Sequence, residues 1–475
     1  MTRAHRVLIV GGGFSGLAIA WHLQRHCGLA PAELAVLEAT ARTGGNIASL
    51  HKDGWVLEAG PNGFLDNAPA TLALVDDLGL THQLLPSNQA SAKRFIWRAG
   101  KLRRISAHPS AFLASGILPL PGALRVALEP FVPAKRDNAP ESVFDFARRR
   151  IGRHAAELMV DAMVSGVFAG NARELELASA FPNMAAMERQ YGGLFRAMWA
   201  KKRAARRQQI ARAKIGGPEG PAGKLTSFRE GFETLPKALA LHLNDSIVTG
   251  ADVTDLARID GQYRLTTSDG RHWQAPSVVL ACPAQAAARI SAALHPGLSA
   301  ELDAIPTAPI TVVALAFRAA DLPGLPDGFG FLAPRHQGLR MLGCLWSSSI
   351  FAHRAPPGGV LLQAMFGGAH SPDLAHLPSD TLAAWAQEEL ATAMRIAHPP
   401  QWTHVFRHPL GIAQYPLGHR ARMKRIRATL TSDLPGLHIA GSAYDGISVN
   451  HCATEAPKIA QAVAQEMRRL TTESN

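Results

Sequence analysis

The stretch "RVLIVGGGFSGLAIAWHLQRH", Arg6 to His26, decides how this chain begins to fold. A short apolar run, Val7 to Val10, meets three glycines, and a helical pattern follows. Gly11, Gly13 and Gly16 stand at the spacing G-x-G-x-x-G, after a predicted strand and before a predicted helix. The first glycine permits a tight turn, the second lets the backbone approach a pyrophosphate, and the third lets helix pack close to strand. The helix start, with its free N–H groups and positive dipole end, then holds the phosphates. A second run, Leu34 to Leu37, ends at Glu38, about 20 residues on, where this fingerprint places an acid for the ribose hydroxyls. The unit reads as a dinucleotide-binding strand–helix–strand.

The fingerprint alone does not choose between NAD and FAD. The following stretch, "EATARTGGN" (Glu38 to Asn46), brings Arg42 and the pair Gly44-Gly45 within a few residues of the acid. A second close backbone approach with a cation beside it suits FAD, whose pyrophosphate is then touched from two sides.

A chain of 475 residues exceeds one ordinary core, so two or three lobes are expected. Hydrophobic content of 47% with 18% charged residues describes a globular protein. The net charge of +12 favours anionic partners: nucleic acid, acidic lipid or a carboxylate-bearing substrate. With no nucleic-acid module and only four tyrosines for base stacking, nucleic acid is not an expected partner. Cys27, Cys282, Cys344 and Cys452 are scattered without a C-x-x-C pair, which fits reduced thiols and a cytoplasmic location. His404 and His408 would share a metal only on a helix. Pro409 and the neighbouring Val-Phe favour a strand there, so no metal is expected. No signal peptide precedes the first strand. The longest apolar stretch, Ser110 to Val132, is broken by Pro119, Pro121, Arg125 and Glu129, and is not a membrane span.

Along the chain, helical patterns dominate from about Ser87 to Ala200. "RAMWAKKRAARRQQIARAK" (Arg196 to Lys214) carries eight Lys or Arg and no acid. It reads either as a basic helix against anionic lipid or an acidic substrate, or as a solvated loop helix. Strands return in a meander, Ser246 to Gly270, then in Ser277 to Pro283, and in a strand-rich block from Ile310 to Gly368. A closing strand–glycine–helix unit, Pro435 to Met467, suggests a nucleotide domain assembled from both termini. Its helix start, Ser448 to His451, is then placed to face a flavin ring and to stabilise negative charge on the reduced form.

Several further stretches resemble the oxygen-dependent protoporphyrinogen oxidase family, its bacterial membrane-associated members most of all. They are "TGGNIASLHKDGWVLEAGPNGFL", "AKRFIWRAGKLR", "SAFLASGILPL", "SGVFAGNARELELASAFPNM", "FREGFETLPKAL", "PDGFGFLAP" and "HPLGIAQYPLGH". The resemblance covers nearly the whole chain. It implies an α/β fold with three parts. An FAD-binding Rossmann-like domain comprises residues 1–86, 224–300 and 405–475. A helical membrane-binding lobe spans 87–205, and a mixed-sheet substrate domain spans 301–404 with part of 87–100. It implies noncovalent FAD and removal of six electrons from a porphyrinogen, with three O2 reduced to peroxide. It also implies peripheral contact with an anionic membrane on the cytoplasmic face, and leaves room for a homodimer and hand-over of product to a chelatase.

On the cofactor side the resemblance maps onto Gly11, Gly13, Ser15, Gly16, Glu38, Arg42, Gly44, Gly45, Asn46, Gly60, Pro61 and Val253. At the far end it maps onto Gly441, Ser442, Gly446, Ile447, Ser448 and Val449. On the substrate side it assigns a propionate contact to Arg94 and a pocket-lining backbone to Gly166. Phe329, Leu345 and Met365 become the apolar residues holding the macrocycle, and Asn62 sits beside the reacting carbon. Without the resemblance, these three apolar residues read as ordinary core. The departures from the family pattern are His451 and Ala453, on either side of Cys452 near the expected flavin position, and Pro457, which a helix tolerates only in its first turn. The rival readings are a coproporphyrinogen III oxidase, an amine oxidase or carotenoid desaturase on the same frame, and a non-catalytic porphyrin-binding protein that retains FAD.

Overall fold

The computed structural model describes residues 2–106, 108–137, 139–207 and 223–473. The opening run forms strand β1 (Val7–Val10), helix α1 (Phe14–Cys27) and strand β2 (Leu34–Leu37), as the glycine pattern requires. Both strands are buried at every position, the mark of a parallel sheet covered on both faces. Three short strands complete the sheet in the order Ile247–Val248, β2, β1, Ser277–Leu280, Leu437–Ile439. All the pairings are parallel. Segments from both ends of the chain therefore share one sheet. The C-terminal helix Val449–Glu473 lies against α1, its Ala453, Ala456, Ala460 and Val463 meeting Leu17, Ala20 and Trp21 in one apolar cluster. Small residues along that seam let the two backbones come close. Pro457 stands in the third turn of this helix, not in its first turn. It removes one internal N–H bond, and the packing of its neighbours holds the helix together across the gap.

A second sheet of seven strands carries the other half of the molecule. Strand β3 (Trp55–Glu58), in a hairpin with Ser49–Lys52, packs onto this sheet without joining it. The sheet itself contains β4 (Arg94–Arg98), β5 (Thr307–Arg318), β6 (Gly330–Leu332), β7 (Gly343–Leu345), β8 (Gly359–Gly367) and β9 (Trp402–Ala413). The order is β9-β5-β8-β7-β6-β4, with Lys101–Ile105 at the far edge. β9 runs unbroken across position 404/405, where a domain boundary was expected. A boundary there would cut its ladder with β5.

Side chains alternate across this sheet. One face sends Val313, Leu315, Phe317, Phe331, Cys344, Leu362, Ala364 and Phe366 into a core closed by helix Ser379–Met394. On the other face the β3 hairpin covers Ala314, Ala316 and Leu361. A helical layer covers Ile96 and Leu332 on that same face. It includes α2 (Leu120–Ala127), α3 (Asp161–Phe168) and α4 (Leu194–Arg207). The expected basic run is helical as far as Arg207, and its remainder, 208–214, lies outside the described residues. Among the described residues no helix is long and apolar enough to cross a membrane.

Candidate functional site

The glycine turn after β1 is built by close backbone contacts. A Cβ on Gly16 would lie 2.0 Å from the Gly11 carbonyl oxygen, so only glycine lets α1 start this near the strand. Gly13 is the N-cap of α1, and no side chain caps the helix. The Glu38 carboxylate accepts from the Gly12 N–H at 2.8 Å and from the Thr40 N–H at 2.9 Å. The acid is thus fixed at the end of β2 beside the turn. The second glycine pair closes against the first: Gly44 N–H donates to Gly12 O at 2.8 Å, and Gly44 bridges Gly13. Arg42 does not project as a free cation. Its guanidinium donates to the carbonyls of Thr43 and Ile47 at 2.8 and 3.0 Å and pairs with Glu233 at 3.6 Å, building the Gly44-Gly45 turn.

The far end of the chain meets this turn from the other side. Gly441, with φ +123°, faces Ser15, and together with Tyr444, Gly446, His451 and Cys452 they line a cleft at the starts of α1 and the C-terminal helix. Ser442 offers its carbonyl to the Tyr415 hydroxyl. Ser448 caps the C-terminal helix, which begins at Val449, by accepting from His451 N–H at 3.2 Å. The His451 ring folds over Gly446, where a Cβ would lie 2.3 Å from its Nδ1. Ile447 packs against the buried cluster beneath. Val253, itself buried, starts a strand, and Ala251 N–H just before it donates to Glu38 O at 2.8 Å. Burial pushes the Tyr415 and Tyr444 hydroxyls and the Cys452 thiol up, so none of them ionises near neutral pH.

These residues fit a dinucleotide. An uncapped helix start, glycines that a Cβ would obstruct and a fixed acid at the end of β2 match the demands of pyrophosphate and ribose. Gly11, Gly13, Ser15, Gly16, Glu38, Gly44, Gly45, Gly441 and Gly446 all converge there.

The residues that the resemblance assigns to a substrate lie on the face of the seven-stranded sheet opposite helix Ser379–Met394. Register places Met365 opposite Gly343, Leu345 opposite Gly330, and Gly330 beside Arg94. Arg94, Leu345 and Met365 therefore share one face, each only partly buried. Phe329 joins them because Gly330 turns the chain at φ +136°, and the Arg94 guanidinium stacks 4.8 Å over its ring. Gly166, on α3, lies beside them rather than among them. A Cβ there would come within 2.5 Å of Leu332 Cδ2, so this glycine seats α3 on the sheet.

Sequence reasoning missed the joint between the two groups. After β3 the chain runs through Ala59, Gly60, Pro61 and Asn62. Gln363 Nε2–H donates to Glu58 O at 2.8 Å, and His408 Nε2 lies 2.7 Å from Ala59 O. Asn46 Nδ2–H reaches Gly411 O at 3.3 Å, and a Cβ on Gly60 would sit 2.2 Å from Asn46 O. The Glu58 side chain is buried against Arg354 at 2.8 Å. The Asn62 segment is thereby held between the glycine turns and the open sheet face. The His404/His408 pair was visible in the sequence, but its spacing carried no hint of a carbonyl partner 349 residues away.

Residues 14–464 match the model of the flavin-containing amine oxidoreductases. The chain is 31% identical over 467 residues to protoporphyrinogen oxidase of Bos taurus, covering 94% of this chain and 95% of that one. It is 29% identical over 457 residues to coproporphyrinogen III oxidase of Bacillus subtilis (strain 168), with the same coverage. A crystal structure described as a candidate protoporphyrinogen oxidase from Exiguobacterium sp. 255-15 superposes with a TM-score of 0.83 at 24% identity, covering 98% of this chain and 100% of that one. The chain belongs to the flavin-containing amine oxidoreductase family and is an FAD-dependent oxidoreductase.

Proposed function

We propose that this protein oxidises protoporphyrinogen IX to protoporphyrin IX, six electrons passing in three pairs to three O2 with release of three H2O2. The observation that carries the reading is the half-open strip of Phe329, Leu345 and Met365 with Arg94 at one end. It offers an apolar floor to a macrocycle and a guanidinium to its propionate. Relatives named for protoporphyrinogen and for coproporphyrinogen III support the substrate class.

FAD, when bound, supplies a two-electron acceptor for a carbon-bound hydride. The chain's residues bind and orient. Arg94 fixes the carboxylate edge, the three apolar side chains set the macrocycle plane, and the Gly60–Asn62 segment presents backbone at the reacting carbon. Gly166 brings α3 down on Leu332 beside the strip. The helical layer meets an anionic membrane surface through Leu120, Leu124, Leu128 and Phe131, exposed at 69, 55, 53 and 79%. Glu129 accepts from Leu194 and Phe195 N–H at 2.8 and 3.1 Å, which fastens basic α4 beside that stripe.

The test is to give the purified holoenzyme protoporphyrinogen IX and coproporphyrinogen III under air, and to follow porphyrin fluorescence with peroxide release. Faster turnover of the first is expected. Arg94→Ala is expected to raise KM on the order of tenfold to a hundredfold, the scale of a lost charge-assisted hydrogen bond, with flavin content unchanged. Preference for coproporphyrinogen III would move the enzyme to that substrate, and silence on both would remove the reading.

A further inference from the structure

Between its pairings with Ile310 and Ala308, β9 has three residues, Pro409 to Gly411, where β5 has one. The ladder bulges there. Pro409, which cannot donate to a ladder, falls inside the bulge, as prolines in sheets do. Gly411 closes it: a Cβ at that position would meet Ile310 Cγ2 at 2.8 Å and Ala308 O at 2.9 Å. Just before the bulge, His408 sits opposite Ile310, in the row of the sheet where β8 contributes Gly367. It therefore stands on the face that carries Met365 one row away. Its Nε2 lies 2.7 Å from Ala59 O. A carbonyl only accepts, so Nε2 carries the hydrogen.

We propose that His408 is a positioning residue for the oxidation: through the Ala59 carbonyl it sets the height of the Gly60–Asn62 segment above the substrate face. The assignment of that segment and of that face to flavin and porphyrinogen rests on the proposed function. Gln363 fixes the preceding carbonyl from β8, two strands away, so the segment is held at consecutive peptide units by two strands of one sheet. A rigid sheet then determines the spacing between cofactor-side backbone and macrocycle floor. Loss of one pin lets the segment lift, and a misplacement of about 1 Å at a reacting centre costs on the order of a hundredfold in rate.

The experiment compares wild type, His408→Ala and His408→Gln as purified holoenzymes. The glutamine amide places an N–H donor near the position of Nε2. Three quantities are read: kcat and KM on protoporphyrinogen IX, the visible absorption spectrum of the bound flavin, and the temperature at which flavin fluorescence is released. The expected result for His408→Ala is a kcat lower on the order of a hundredfold. Its KM should stay within about threefold, its flavin spectrum should alter and its flavin should be released at a lower temperature, with His408→Gln recovering all of these. A His408→Ala enzyme with wild-type kcat and spectrum overturns the proposal, as does equal impairment of Ala and Gln variants. If wild type oxidises neither porphyrinogen, the functional reading fails, and the spectrum and release temperature still decide whether His408 holds the segment.

Discussion

At Gly16 a single absent carbon decides whether the cofactor turn can exist. The 2.0 Å approach of a Cβ to Gly11 O has no side-chain freedom to relieve it, because the obstacle is backbone. Gly16→Ala is expected to shift the start of α1 away from β1 and leave the purified protein with less than about a tenth of its flavin. That loss would be several times larger than a single missing hydrogen bond gives. The check is the ratio of flavin to protein absorbance, and an unchanged ratio would count against the cradle. Glu38 teaches a related point. Its position after Leu37 was readable from spacing, whereas its grip on Gly12 N–H is visible only in three dimensions.

Among elements, those buried on both faces were the most legible. β1 and β2 are unbroken apolar runs between punctuating residues, and a parallel strand under helices demands that composition. The strips of Leu345 and Met365 were legible as strand but ambiguous in purpose, since an apolar residue facing a ligand and one facing a core obey the same alternation. The β9 bulge, the Gly330 turn that swings Phe329 toward Arg94, and the interior place of Pro457 were beyond reach. Each depends on partners in other elements that the local sequence does not reveal. α2 carries the opposite lesson, an apolar stripe that no other described residue covers. Leu120, Leu124 and Leu128 recur every four residues, with Phe131 beyond them, so one face of the helix is apolar and exposed. Flotation with anionic liposomes at low salt is expected for the native protein and is expected to be lost in a Leu124→Asp/Phe131→Asp variant. Native protein that stayed at the bottom of the gradient would end the membrane assignment.

Across the whole molecule, Asp161 ties the helical layer to the sheet. From α3 it meets Arg335, in the connection after β6, at 3.0 Å and His370, in the connection after β8, at 3.5 Å. Burial alone would raise its carboxyl, but His370 and Arg335 outweigh that and hold it below the usual range. A folded value below the unfolded one, about 3.9, means that its stabilisation is complete above that pH and is lost as pH falls through the folded value. Asp161→Asn should therefore lower stability by about 1–3 kcal/mol at pH 7, and by less at pH 3. Urea midpoints at the two pH values give the comparison, and an equal loss at both would show that charge is not what Asp161 contributes.

The dinucleotide sheet has a temporal side as well. A ribosome releases β1 and its glycine turn long before Leu437–Ile439 and the helix that covers α1. Until then Ser277–Leu280 lacks its outer partner, and the apolar side of α1 lacks the alanine seam that covers it. Between the making of Ser277–Leu280 and that of Leu437–Ile439 a nascent chain carries an open strand edge and a bare helix face, surfaces of the kind that invite wrong partners. The cleft lined from both α1 and the C-terminal helix is complete only once that helix has been made, and a chaperone that shields unfinished chains has that interval in which to act.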